Sequence, residues 1–209
     1  MRKKIKKDIK QPIVIVASSE LISTYFSQLR MDCRYENMTV VHAPSKSLKD
    51  LVTKTARIKN TGRYKMAWCV FTLSEFDDAT PSNIIEYEKN SQMRKIGLAY
   101  TARSIMLYWA LHFQPLTGDE DANALNDIIT KNIPSFKHSV EYLQGAGSSL
   151  HLMLFSRKAL ASSNATTLNA TYRLKNGIDA INFTKLINSI SDYCGEADIV
   201  KNQKVVSQN

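Results

Sequence analysis

Residues 12–30 read PIVIVASSELISTYFSQLR, and the join between the two halves of this stretch decides the fold. PIVIVA is an unbroken apolar run, rich in β-branched residues and entered through a proline. A half-exposed strand would alternate polar with apolar, so this run predicts a strand buried on both faces. SSELISTYFSQLR then sets Leu21, Tyr25, Gln28 and Leu29 on one helical face, with Ser18 or Ser19 available as the N-cap.

The pattern repeats outward from there. MTVVHA reads as a second strand, and after Pro44 the stretch SKSLKDLVTKTARIK puts Leu48, Leu51, Val52, Thr55 and Ile58 at helical spacing. Gly62 ends that helix, KMAWCVF supplies a third strand, residues 82–89 form a helix, and KIGLAY is a fourth strand. Strands alternating with helices predict an α/β fold, a parallel sheet of about four strands covered by helices on both faces.

From Arg103 onward the character changes to helical. SIMLYWALHF is apolar nearly all round; Leu125, Ile128 and Ile129 mark one further helix, Phe136, Val140 and Leu143 another, and SLHLMLFSRKALA a third. Phe183, Leu186, Ile187 and Ile190 mark a last amphipathic helix. The expected organisation is a basic tail over 1–11, an α/β core over 12–102, a helical lobe packed on it over 103–200, and a frayed end over 201–209.

Composition narrows the function classes. A chain of 209 residues with 44% hydrophobic residues is the size of one domain with an added lobe and can close a real core. Its three cysteines, Cys33, Cys69 and Cys194, have no CxxC spacing, so neither a disulfide framework nor a zinc site is suggested. No apolar run approaches the roughly 18–20 residues that span a bilayer, and the expected setting is the cytoplasm, without membrane partners. In that setting the four sequons, at Asn37, Asn164, Asn169 and Asn182, are chance matches. The net charge is +9, and Arg2, Lys3, Lys4, Lys6, Lys7 and Lys10 supply much of the excess. That tail reads either as a solvated terminus or as an arm that grips nucleic-acid phosphates.

Chemistry in an open parallel sheet collects beyond the C-terminal ends of its strands, here around 17–20, 42–45, 72–78 and 100–103. There is no GxGxxG and no GxxxxGK[ST] among the seven glycines, so nucleotide binding by those two routes is not expected. A magnesium-class ion needs carboxylates from more than one strand end, and only Glu20, Glu75, Asp77 and Asp78 are near. His42 stands at a strand end without an identifiable nucleophile; His112, on an apolar helix, reads as a hydrogen-bonded core residue. Tyr100, Tyr108, Trp109 and Phe113 read as core packing rather than a base-stacking platform.

Three blocks in order resemble the RloB-like or AbiLii-like proteins of bacterial defence and abortive-infection loci, a family with a Toprim-type fold. PIVIVASSELISTYFSQL resembles the family's first strand and helix, including a Tyr-Phe pair met by Tyr25 and Phe26. YKMAWCVFTLSEFDD is similar to its third strand, which leads into Asp-x-Asp. IGLAYTARSIMLYWALHF is similar to a strand and helix ending Phe-Glu-x-Trp-x-x-x-His-Phe, and the resemblance covers nearly the whole chain.

The acids of that pattern are missing. Ala17 stands where the family has its strand-end Glu, Thr72 and Ser74 where it has Asp-x-Asp, and Met106 where it has the Glu of the helix block, with Arg103 in place of a proline. The apolar framework around these positions is kept. The resemblance therefore implies a catalytically degenerate member of a Toprim-type nuclease family, with no metal or other cofactor expected. It also implies a protein partner, such as an AAA-type ATPase or an active relative. The alternative is a divergent magnesium-dependent nuclease using Glu20, Glu75, Asp77 and Asp78. Against it, acids ahead of a helix near Pro81 are expected to cap that helix, with no geometric reason to converge with Glu20. Arg103, near a helix start, is a candidate anion contact in the emptied crevice, along with Arg2, Lys3, Lys4, Lys6 and Lys7 of the tail.

Overall fold

The computed structural model describes residues 12–145 and 149–195, so the expectations for residues 1–11 and 201–209 fall outside the described part. β1 (Ile13–Ala17) runs between two parallel neighbours, with Ile13 opposite Met38 of β2 (Met38–His42) and Met66 of β3 (Met66–Thr72). β4 (Ile96–Thr101) lies parallel outside β3, with Thr72 opposite Thr101, giving the order β2-β1-β3-β4. The fold is α/β with four parallel strands flanked by helices among the described residues, in line with the Toprim-like expectation.

All five side chains of β1 are buried, so both faces of the sheet must be covered. Ile13, Ile15, Trp68, Val70 and Ala99 face one apolar cluster. Val14, Val16, Cys69, Phe71 and Leu98 face the other. The second cluster is closed by α2 (Leu48–Thr61) and α3 (Pro81–Arg94), through Leu48, Leu51, Val52 and Ile84. The first is closed by α1 (Glu20–Asp32) through Ile22, Tyr25, Phe26 and Leu29. Each fully buried side chain of this size contributes about 1.5–3 kcal/mol over leaving it in water.

The helices after β4 pack on this α1 face. They are α4 (Ile105–Ala110), α5 (Ala122–Asn132), α6 (Val140–Gln144), α7 (Leu150–Phe155), α8 (Lys158–Asn176) and α9 (Phe183–Cys194). Their buried residues join the cluster that holds Ile13 and Phe26. One segment also covers the outer edge of β4, where an unpaired strand would otherwise expose its backbone. The Asn182 side chain accepts from Tyr100 N–H at 2.6 Å and donates to the Leu98 carbonyl at 3.0 Å. Ala102 N–H donates to Ala180 at 2.7 Å, and Ile181 forms a single antiparallel bridge to Thr101, a strand-like contact absent from the sequence reading.

Four details differ from the sequence expectations. The helix expected over 82–89 runs from Pro81 to Arg94. Pro81 suits a first helical position, and the Thr80 hydroxyl accepts from Asn83 N–H at 3.3 Å, but Ile84 is its only fully buried large apolar side chain, so the periodic signal was thin. SLHLMLFSRKALA is two helices, α7 and α8, because Leu150, His151 and Leu154 pack toward α1 while Ala161, Asn164 and Leu168 turn toward α4. Phe136 lies in the turn before α6, packed on Trp109 with ring centroids 5.8 Å apart. The aromatic set is divided as well, since Tyr100 faces the α2/α3 side while Tyr108 and Trp109 face α1.

Two substitutions test this architecture. A Cβ at Gly97 would stand 2.5 Å from the indole ring of Trp68, whose Nε1 donates to the Ser189 hydroxyl of α9 at 3.0 Å. Gly97→Ala is expected to cost about 1–3 kcal/mol in chemical denaturation; an unchanged midpoint would mean that the ring has room to move. Asn182→Ala strands the Tyr100 amide and the Leu98 carbonyl at the sheet edge, at about 1–3 kcal/mol for each group orphaned. Faster hydrogen exchange at the Tyr100 amide is the local readout.

Candidate functional site

The chain leaves β1 toward β2 on one side, then crosses back to place β3 on the other. The switch point therefore lies between the C-terminal ends of β1 and β3, where crevices form in this class of sheet. Ala17 ends β1 fully buried, and the next residue, Ser18, donates its N–H to the Val70 carbonyl at 2.9 Å. Thr72 ends β3, also buried, and a single 3₁₀ turn (Leu73–Glu75) follows. Within that turn the exposed Ser74 hydroxyl donates to the Arg103 carbonyl at 2.8 Å, which ties the exit of β3 to the exit of β4. Thr101, beside Thr72 on β4, has a buried hydroxyl without a hydrogen-bond partner.

Ala17, Thr72, Ser74 and Met106, the positions that the resemblance singles out, do not form one lining. Ala17 and Thr72 sit at neighbouring strand ends, Ser74 is at the surface, and Met106 is buried in the apolar cluster with Ile105 and Leu107. A methionine fills that last site as packing. The four acids are equally dispersed. Glu75 folds back across the switch point, accepting from the Ser18 hydroxyl and from Thr72 N–H at 3.2 Å. A carboxylate after β3 thus reaches the end of β1, where it meets Ser18 and not Glu20.

Asp78 has a capping role, but not on the helix near Pro81. Its two oxygens accept from Leu48 N–H at 2.7 Å and Lys49 N–H at 3.1 Å, the first amides of α2. The Ser47 hydroxyl takes Asp50 N–H at 3.1 Å, so three of the four unpaired amides of that helix start are satisfied by side chains. The reason is topological, because α2 also begins at the C-terminal edge of the sheet and the loop after β3 passes beside it. Asp77 is exposed. Glu20 is exposed in the first turn of α1, which Ser19 caps. Among the described residues no group of three or more His, Cys, Asp or Glu is placed to hold a metal ion.

Arg103 is exposed beside the turn, and its charge lies close enough to Tyr172 of α8 to pull that hydroxyl's pKa down, against the larger effect of burial, which raises it. The Ser104 hydroxyl accepts from Met106 N–H at 3.2 Å and so occupies the start of α4. The candidate contacts Arg2, Lys3, Lys4, Lys6 and Lys7 lie outside the described residues. His42 is exposed at the end of β2. Asn182, one of the sequons, is only 3% exposed and its amide is fully engaged in the fold.

His112 is a core histidine with its Nδ1 2.9 Å from the Tyr108 carbonyl, and burial pushes its pKa down to about 4. Sequence reasoning missed its neighbour. His151 of α7 pairs with Asp32 at the end of α1, Nδ1 to carboxylate at 3.0 Å, across a separation of 119 residues that no local pattern reveals. Among known proteins, the chain matches no family model, no curated protein and no solved structure.

The depressed pKa of His112 has a consequence for stability. The unfolded chain takes up a proton near the ordinary value of 6.5, whereas the folded chain resists until about pH 4, so stability is lost as pH falls through that window. The expected loss is on the order of 3 kcal/mol between pH 7 and pH 4. His112→Asn, which cannot titrate, should flatten that part of the denaturation-versus-pH curve; an unaltered slope would contradict a buried neutral imidazole.

Proposed function

We propose that this chain is a non-catalytic interaction component of a bacterial defence-type system, related to the RloB-like and AbiLii-like proteins but with the nuclease site converted to a structural joint. The observation that carries the reading is the placement of Glu75. Its carboxylate takes two donors from the chain itself, one from each of the strands flanking the switch point, where a metal-dependent enzyme would leave its carboxylates free to face a cation. Asp78 is committed to α2, and Met106 contributes packing.

The resemblance suggests an AAA-type ATPase or an active relative as the protein partner. The basic N-terminal residues suit an auxiliary contact with nucleic-acid phosphates, which a steep loss of affinity with salt would reveal. Three buried free thiols, Cys33, Cys69 and Cys194, suit a reducing cytoplasm. No helix among the described residues is long and apolar enough to cross a membrane.

The test is titration calorimetry with Mg²⁺ and Mn²⁺, run beside cleavage assays on single- and double-stranded DNA and RNA. No metal-dependent cleavage is expected. Controls should be Glu75→Gln and Asp77→Ala, since Asp78→Ala would uncap α2 and confuse lost activity with lost stability. Metal-dependent cleavage abolished by either control would establish the divergent nuclease and overturn the proposal.

A further inference from the structure

One cavity lies away from the strand ends. It lies on the helical side, encloses about 400 Å³ and opens between α1, α4, α7, α8 and α9. That volume is within the range of small-molecule sites. Its walls combine apolar side chains, among them Leu154 and Ile187, with Tyr25, Tyr108, His112, His151 and Lys158.

Both histidines are held in fixed orientation. The Tyr108 carbonyl can only accept, so His112 carries its proton on Nδ1 and turns a lone pair at Nε2 to other partners. His151 donates from Nδ1 to Asp32, and Asp32 is itself fixed by the Ser149 hydroxyl at 2.6 Å. The carboxylate thus orients this ring, which lines the cavity. Tyr25 and Tyr108 stand edge to face with ring centroids 6.2 Å apart.

The charges are separated, with the Asp32 carboxylate behind His151 and an ammonium group at the opening. Lys158 stands at the exposed mouth, its Nζ 4.7 Å from the centroid of the Phe155 ring, and no carboxylate is among the lining residues. Burial pushes the Cys33 thiol up to about 11, and on that wall the Asp32 carboxylate behind the lining raises it further while Lys158 acts in the opposite direction. The deep end therefore offers oriented imidazoles and a phenol pair, the middle offers apolar surface, and the mouth offers an ammonium group.

We propose that this cavity binds a small, flat organic acid that carries a hydroxyl or ring N–H at the end opposite its carboxylate. The ring lies against Tyr25, Leu154 and Ile187, the hydroxyl meets the histidines, and the acid group meets Lys158. Nothing in this assignment depends on whether the strand-end crevice cleaves nucleic acid.

The experiment uses three probes, 4-hydroxyphenylacetate, phenylacetate and p-cresol, with the full chain followed by titration calorimetry and by the ring-proton resonances of the histidines. The two-ended probe is expected to bind and to shift His112 and His151, with each one-ended probe about tenfold weaker or more. Lys158→Ala, at an exposed position that leaves the core intact, should weaken 4-hydroxyphenylacetate about tenfold and leave p-cresol unchanged. His151→Phe should remove the preference for 4-hydroxyphenylacetate over phenylacetate, with a melting curve confirming that the variant is folded. The proposal fails if none of the probes gives heat or moves either histidine at millimolar concentration, or if binding is indifferent to both substitutions.

Discussion

A strand with no solvent-facing side chain constrains everything around it. β1 is buried on both faces and hydrogen-bonded on both edges by parallel neighbours, so it requires crossover helices on each side of the sheet. The α2/α3 side meets that demand with two helices. The α1 side does not, because one helix cannot cover the width of four strands, and the C-terminal half of the chain supplies the rest. The same half closes the exposed edge of β4 through Asn182 and the Ala180 carbonyl. Removing the helical half would uncover both a face and an edge, so the two halves depend on each other for their hydrophobic and hydrogen-bonding closure.

Much of this was legible in the sequence because the signals are local. The runs PIVIVA, MTVVHA and KMAWCVF gave their strands to within a residue, and Ser19 and Gly62 mark helix ends as capping chemistry predicts. α3 was underestimated because a helix with one strongly buried apolar residue leaves little periodicity. α7 and α8 were merged because a turn between two helices that seek different partners has no composition of its own.

The candidate site was less legible, for a related reason. That Ala17, Thr72, Ser74 and Met106 carry no acid can be read from position, but what the nearby acids do depends on partners distant in sequence. Glu75 meets Ser18 across 57 residues, and Asp78 meets α2 across 30. Counting acids in a loop finds candidates; it does not say whether an oxygen faces a cation or an amide. His151 and Asp32 were invisible for the same reason, since neither lies in a recognisable motif and each acquires meaning only when α7 packs on α1.

The two concave regions differ in a way that electrostatics makes concrete. At the strand ends the Glu75 carboxylate accepts from a hydroxyl and an amide of the chain, so it bridges the exits of β1 and β3, and a divalent ion arriving there would compete with those donors for its oxygens. In the helical cavity the lining carries an ammonium and two imidazoles without a carboxylate, and the one nearby acid, Asp32, is already taken by Ser149 and His151. The first region engages Glu75, Ser18 and Ser74 with the chain itself, while the Thr101 hydroxyl is buried without a partner. The second holds its two histidines in fixed orientation through the Tyr108 carbonyl and Asp32 and leaves apolar walls between them, the composition expected of a small-molecule site.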